Sequence, residues 1–171
     1  MSLPSPSRTW DVAVALNCES PATEDRIRAA AAAVLQTSRF AEAAISVAVI
    51  DDAQMRRLNR QFLEHDYETD VLSFVLSDGD EWLEGEIVVS ADTARRCAAE
   101  AQWSPESELL LYVVHGALHL IGFQDKSLAD AATMTAAEAE VLECLGIERS
   151  MHDSRWAGLR SEDASGGEAS S

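Results

Sequence analysis

The residues with the most chemical content lie in one short run, HGALHLIGFQD, over positions 115–125. His115 and His119 are four apart, so on a helix they share a face and can present two imidazoles to one divalent ion. Gly122 falls where such a helix would end in the left-handed conformation, and that turn lets the chain double back and carry Asp125 towards the pair. Two imidazoles and a carboxylate form an ordinary three-ligand set that leaves a further position open for water. Zinc proteases of this histidine spacing carry a glutamate after the first histidine as general base. Here that residue is Gly116, so protease chemistry lacks its proton acceptor. The competing reading is a histidine pair buried in a helix contact, because Leu109, Leu110, Val113, Val114, Leu118, Leu120 and Ile121 make the segment strongly apolar. The glycine and the third ligand-type residue at matched spacing weigh against it.

The elements that must position these residues follow from periodicity and punctuation. TWDVAVALN (9–17) alternates as a strand. Residues 20–40 open with Ser20 and Pro21 as a cap-and-proline signal and continue as an alanine-rich helix. AISVAVID (44–51) reads as a second strand. Residues 52–63 place Met55, Leu58, Phe62 and Leu63 at helical spacing. Residues 70–76 and 84–90 read as two more strands around an acidic turn. Ser90 caps a helix over about 91–102. Ser104 and Pro105 open the histidine helix, and a last helix spans about 128–145. The order β-α-β-α-β-β-α-α-α predicts an α+β (mixed α/β) fold. Its expected form is a small mixed four-stranded sheet packed with about five helices, with the metal site at the end of a central helix. Residues 1–8 read as a flexible arm, 9–150 as a single domain and 151–171 as a disordered acidic Ser/Gly tail.

The chain's 171 residues suit one domain with a real core. Net charge is −17, unevenly spread: residues 61–150 carry nineteen acidic and four basic side chains, whereas residues 1–60 balance. So acidic a surface repels polyanions at long range and argues against broad, non-specific nucleic-acid binding. No apolar run approaches 18 residues, and the N-terminus lacks the apolar core of a secretory signal, so no membrane is expected and the cytoplasm is. Cys18, Cys97 and Cys144 are dispersed and odd in number. They read as small buried thiols of a reducing compartment, not a disulfide framework.

Two blocks resemble one family. LNRQFLEHDYETDVLSF (58–74) followed by GEIVVS (85–90), and VVHGALHLIGFQD (113–125), are similar to the YbeY family of bacterial endoribonucleases, also known as rRNA maturation factors. The order of elements fits that family from about residue 9 to 147. The resemblance implies a metal-dependent endoribonuclease specific for single-stranded RNA. It implies a part in maturing the 3′ end of small-subunit (16S) rRNA and in ribosome quality control, with the small ribosomal subunit, its proteins and a ribosome-associated GTPase as partners. It implies one zinc ion per chain on the motif histidines, His115 and His119 being the first two ligands.

The sequence departs from the family pattern at two places. Asp125 stands where the third histidine is expected, and its negative charge makes a weaker Lewis acid of any bound ion. Leu63 stands where the family has an arginine, whose charge would suit the phosphoryl oxygens of a transition state. Arg60, a helical neighbour of position 63, is the candidate substitute as a catalytic cation. Arg56, Arg57, His65 and Ser73 are candidates for holding substrate, against the plainer reading of a solvated arginine face. Asp70 reads as hydrogen-bonding locally more than lining the cleft, and Glu86 as a strand-edge carboxylate with a weak claim to orienting water. The rival to the nuclease is a catalytically weak or inactive ribosome-assembly factor that keeps the fold and metal site.

Overall fold

The computed structural model describes residues 7–62 and 70–147. Leu63, His65 and the expected C-terminal tail lie outside the described residues, as does the N-terminal arm apart from Ser7 and Arg8. Arg8 stacks its guanidinium 5.5 Å from the Trp10 ring and reaches the carbonyls of Leu35 and Gln36.

Among the described residues nine elements follow in order: β1 (Thr9–Leu16), α1 (Glu24–Gln36), β2 (Glu42–Ile50), α2 (Asp52–Phe62), β3 (Val71–Asp78), β4 (Trp82–Ser90), α3 (Ala91–Ala101), α4 (Pro105–Leu120) and α5 (Leu128–Cys144). This is the α+β architecture expected. The sheet order is β1-β2-β4-β3, with β1, β2 and β4 parallel and β3 antiparallel to β4. One correction concerns the start of α1. Its cap is Thr23, which accepts from the Arg26 N–H, while Ser20 and Pro21 belong to a separate turn in which Ser20 hydrogen-bonds Ala22. The acidic first turn, Glu24 and Asp25, complements the helix N-terminus and explains why the helix begins there.

Strand alternation divides the sheet into two unlike faces. Val12, Ile45, Val47, Val49, Val71, Leu83, Ile87 and Val89 join α1, α4 and α5 in the main core. On the other face α2 seats Met55 and Leu58 against Ile50, Leu72, Phe74 and Val88 in a smaller cluster. Ser73 shares the α4 side of β3 with Val71, and Leu72 and Phe74 take the opposite side. Glu86 corrects its expectation twice. Strand β4 is interior, so the residue is not at an edge, and its exposed side chain lies on the face opposite the one that Gly85 and Ile87 offer to α4.

Helix α4 is the centre of the domain. Every residue from Glu108 to Leu118 is buried, as expected of a helix that is apolar all round. Its one buried acid, Glu108, is satisfied by Trp103 Nε1 at 2.6 Å and the Tyr112 hydroxyl at 2.8 Å. The three cysteines form no disulfide among the described residues, but only two are even half-buried. Cys144 is exposed, because it falls on the solvent side of α5 beside Glu140 and Glu143.

Candidate metal centre

The last turn of α4 presents both histidines, and the way it ends shapes the site. Gly122 has φ +112°, a conformation that costs glycine nothing and side-chain-bearing residues a good deal. The Gly122 N–H donates to the His119 carbonyl at 3.1 Å, and the Phe123 N–H to the Leu118 carbonyl at 3.0 Å. This doubled pattern is the glycine helix stop. It turns the Phe123 carbonyl back to accept from His119 Nδ1 at 3.1 Å. Two residues on, Asp125 Oδ2 lies 3.4 Å from His119 Nε2 and 3.6 Å from His115 Nε2. Ser127 then caps α5.

A fourth residue completes the arrangement, and sequence reasoning missed it. Glu138 on α5 is fully buried, and its Oε1 accepts from His115 Nδ1 at 2.6 Å. The available signal was its register. Glu138 falls four residues after Met134 and four before Leu142, on the buried stripe of α5 where an apolar side chain is expected.

Each Nδ1 therefore faces an acceptor, so a neutral imidazole keeps its proton there and leaves Nε2 bare. The two Nε2 atoms are 3.1 Å apart. Three electron-rich atoms converging at 3.1–3.6 Å repel one another unless a cation or a shared proton sits among them. An ion bound tetrahedrally through bonds of about 2.0–2.1 Å holds neighbouring ligand atoms about 3.3 Å apart. His115, His119 and Asp125 thus fit a divalent ion in spacing as well as in donor type, and they are the group among the described residues that could hold one.

The protonation equilibria follow from the same neighbours. Burial pushes the His115 imidazole down, but the hydrogen bond and charge of Glu138, backed by Asp70 and Asp125, outweigh it and hold the imidazole above its usual value. Burial likewise raises Asp125, yet the hydrogen bond that His119 donates when its Nε2 is protonated, and the charges the two histidines carry in that form, hold its carboxyl below the ordinary range. Asp70, at the head of β3, accepts from the Val71 N–H and adds negative potential at His115.

Gly116 has a packing explanation. A Cβ there would meet Ile87 Cγ2 at 2.9 Å and Val71 Cγ2 at 3.1 Å. The residue after His115 faces the sheet and not the ligand cluster, so a glutamate there would be driven into β3 and β4.

The model of the family described as endoribonuclease YbeY matches residues 13–146. The chain belongs to the YbeY family. Endoribonuclease YbeY of Rhodopirellula baltica is 41% identical over 142 residues, covering 81% of this chain and 72% of that protein. Endoribonuclease YbeY of Chloroherpeton thalassium is 43% identical over 122 residues, covering 71% of this chain and 86% of that protein. The solution structure of TM1509 from Thermotoga maritima matches with a TM-score of 0.55 at 23% identity, over 95% of this chain and 99% of its own, and supports the fold.

The remaining expected site residues that the structure describes lie on α2 and β3 of this YbeY framework. Arg56, Arg57 and Arg60 are exposed on α2, whose packing face covers the side of the sheet opposite α4. Ser73 is half-buried on β3. His65 is outside the described residues. Among the described residues no helix is long and apolar enough to cross a membrane.

Proposed function

We propose that this chain is a metal-dependent endoribonuclease that cleaves single-stranded RNA. Its biological setting would be the 3′-end maturation of 16S rRNA and ribosome quality control in the cytoplasm. The small ribosomal subunit and its proteins would be its partners, with a ribosome-associated GTPase beside them. The observation that carries the reading is the convergence of His115 Nε2, His119 Nε2 and Asp125 Oδ2 at the end of α4 in a chain of the YbeY family. Two imidazole donors with one carboxylate favour zinc, one per chain, over magnesium or calcium, which prefer oxygen ligands.

A divalent ion held by these three residues would supply Lewis acidity for attack on a phosphodiester and for the charge that develops on its oxygens. The chain's own groups do the rest. Glu138 and the Phe123 carbonyl fix the two rings, and Asp125 stays ionised. Arg56, Arg57, His65 and Ser73 are assigned to holding the RNA strand, with base and backbone contacts of the kind single-strand binders use. Arg60 is assigned the stabilising cation that Leu63 does not provide.

The test is a paired one. The protein is purified without added metal, its metal content is determined, and cleavage of a single-stranded RNA is compared with that of His115→Ala and Arg60→Ala. About one zinc per chain, cleavage abolished in His115→Ala and cut by about 10²-fold in Arg60→Ala are expected, by analogy with losing one transition-state donor. Metal bound without cleavage by the unaltered protein, on model RNA or on precursor rRNA in ribosomal particles, would overturn the nuclease reading. Unchanged cleavage in Arg60→Ala would remove that residue's assignment alone.

A further inference from the structure

We infer that Glu138 is a positioning residue for the metal centre: its buried carboxylate holds the His115 ring with Nε2 turned towards His119 and Asp125, and so sets how tightly this chain binds its ion. The inference rests on the metal reading of the triad.

The contact has the properties of a working pair. It is short, 2.6 Å, and both partners are out of solvent, Glu138 completely and His115 all but 8%. A hydrogen bond to an ionised acceptor in such surroundings is strong and directional. It also joins residues 23 apart in the chain, tying the ligand helix α4 to α5. The other ring has a weaker holder. His119 Nδ1 meets the neutral Phe123 carbonyl at 3.1 Å, within the same turn. The orientation of His115 therefore depends on a charged group delivered by tertiary packing, and that of His119 on a local backbone turn.

Packing alone does not account for a glutamate at this position. Around it α5 buries Met134, Ala139, Val141 and Leu142, and an apolar residue would complete that stripe without a desolvation cost. Buried ion pairs replaced by apolar residues of similar volume are often neutral or more stable. What an apolar residue cannot do is accept the Nδ1 proton. Without an acceptor the neutral ring is free to carry its proton on Nε2, the atom that faces the cluster, or to turn away. Outer partners of metal-bound histidines act in this way, and losing one weakens metal binding by about 10–100-fold.

The experiment uses the full-length chain stripped of metal. Cobalt(II) and zinc affinities are measured by titration and chelator competition for the unaltered protein, Glu138→Gln and, as a ligand-loss control, His119→Ala. Imidazole ¹⁵N shifts of the metal-free protein are recorded at alkaline pH, where the ring is neutral. Glu138→Gln keeps the shape and removes the charge. The expected result is one ion per unaltered chain, a loss of affinity of at least about threefold in Glu138→Gln, and unchanged circular dichroism. The His115 signals are expected to show the proton on Nδ1. A loss below about threefold in a folded Glu138→Gln overturns the inference and leaves the metal reading intact. Should that variant fail to fold, the ¹⁵N spectrum of the unaltered protein decides, because a proton on Nε2 overturns it equally. An unaltered chain that binds neither ion overturns the metal reading itself, and this inference falls with it.

Discussion

At the scale of single residues, charged groups in this domain are placed where several donors meet them. Asp52, at the start of α2, accepts from Ser90 Oγ at 3.0 Å, Thr93 Oγ1 at 3.2 Å and the Arg96 guanidinium, while its own N–H donates to Asp92 Oδ2 at 2.9 Å. Burial alone would raise the Asp52 carboxyl. The hydrogen bonds from Arg96 and Ser90, then the charge of Arg96 and the bond from Thr93, outweigh burial and hold it below its ordinary value of 3.8. A lowered native pKa means that the unfolded chain takes up the proton first. The stabilisation is complete above the unfolded value and is lost as pH falls through the native one. Asp52→Asn is therefore expected to lower stability by about 1–2 kcal/mol at neutral pH, with the difference shrinking as the pH drops below about 4. Urea unfolding of both proteins at neutral and acid pH checks this, and a difference that does not change with pH would show that charge plays no part. The metal centre was readable at this scale only in part. His115, His119, Gly122 and Asp125 lie within eleven residues and obey helix geometry, so their spacing carried the information. Glu138 reaches His115 through the packing of one helix on another, which local spacing does not encode.

Among the elements, α4 imposes the strictest demands. It carries both candidate ligand histidines and lies directly on β3 and β4, and the approach is close enough that glycines stand at two contacts, Gly85 in β4 and Gly116 in α4 itself. A Cβ on Gly85 would meet Leu120 Cδ1 at 2.9 Å, and one on Gly116 would meet Ile87 at the same distance. Gly116→Ala is expected to cost about 1–3 kcal/mol, the usual range for adding a methyl to a full core, even though alanine is the better helix former by nearly 1 kcal/mol. Thermal unfolding should show a lower midpoint, and metal affinity should fall with it because the strained turn bears His115. An equal or higher midpoint would mean that the sheet yields freely at Ile87 and Val71. Strand and helix limits were legible to within a few residues because periodicity, Ser caps and glycine stops are local signals. The start of α1 was misplaced because Ser20–Pro21 and Thr23 offer competing caps three residues apart. The insertion of β4 between β2 and β3, and the sheet face that α2 covers, were not legible, since both depend on which distant apolar stripes find each other.

Across the whole molecule the governing quantity is a net charge of −17 on a protein read as acting on a polyanion. Several of its arginines are locally matched: Arg26 pairs with Glu106, Arg28 with Asp25, Arg95 with Asp92 and Arg96 with Asp52. The part of the sheet facing away from α4 exposes Asp11, Glu42, Glu84 and Glu86, so those strand positions repel RNA. Arg56, Arg57 and Arg60 are exposed on α2, the helix that covers Ile50, Leu72 and Val88 on that face. On the proposed arginine assignment, RNA approaching this molecule meets long-range repulsion first and local attraction only at contact. The two respond to salt over different ranges. The screening length falls from about 30 Å at 0.01 M to about 10 Å at 0.1 M, which removes the repulsion at a distance while close contacts between arginine and phosphate persist. A basic nuclease would lose affinity steadily as its counterions are replaced. For this chain kcat/KM on a short single-stranded RNA is expected to rise between about 0.01 M and about 0.1 M monovalent salt, at fixed metal concentration. A steady fall over that interval would mean that a local basic surface governs the encounter, and that the acidic surface has no influence on how substrate arrives.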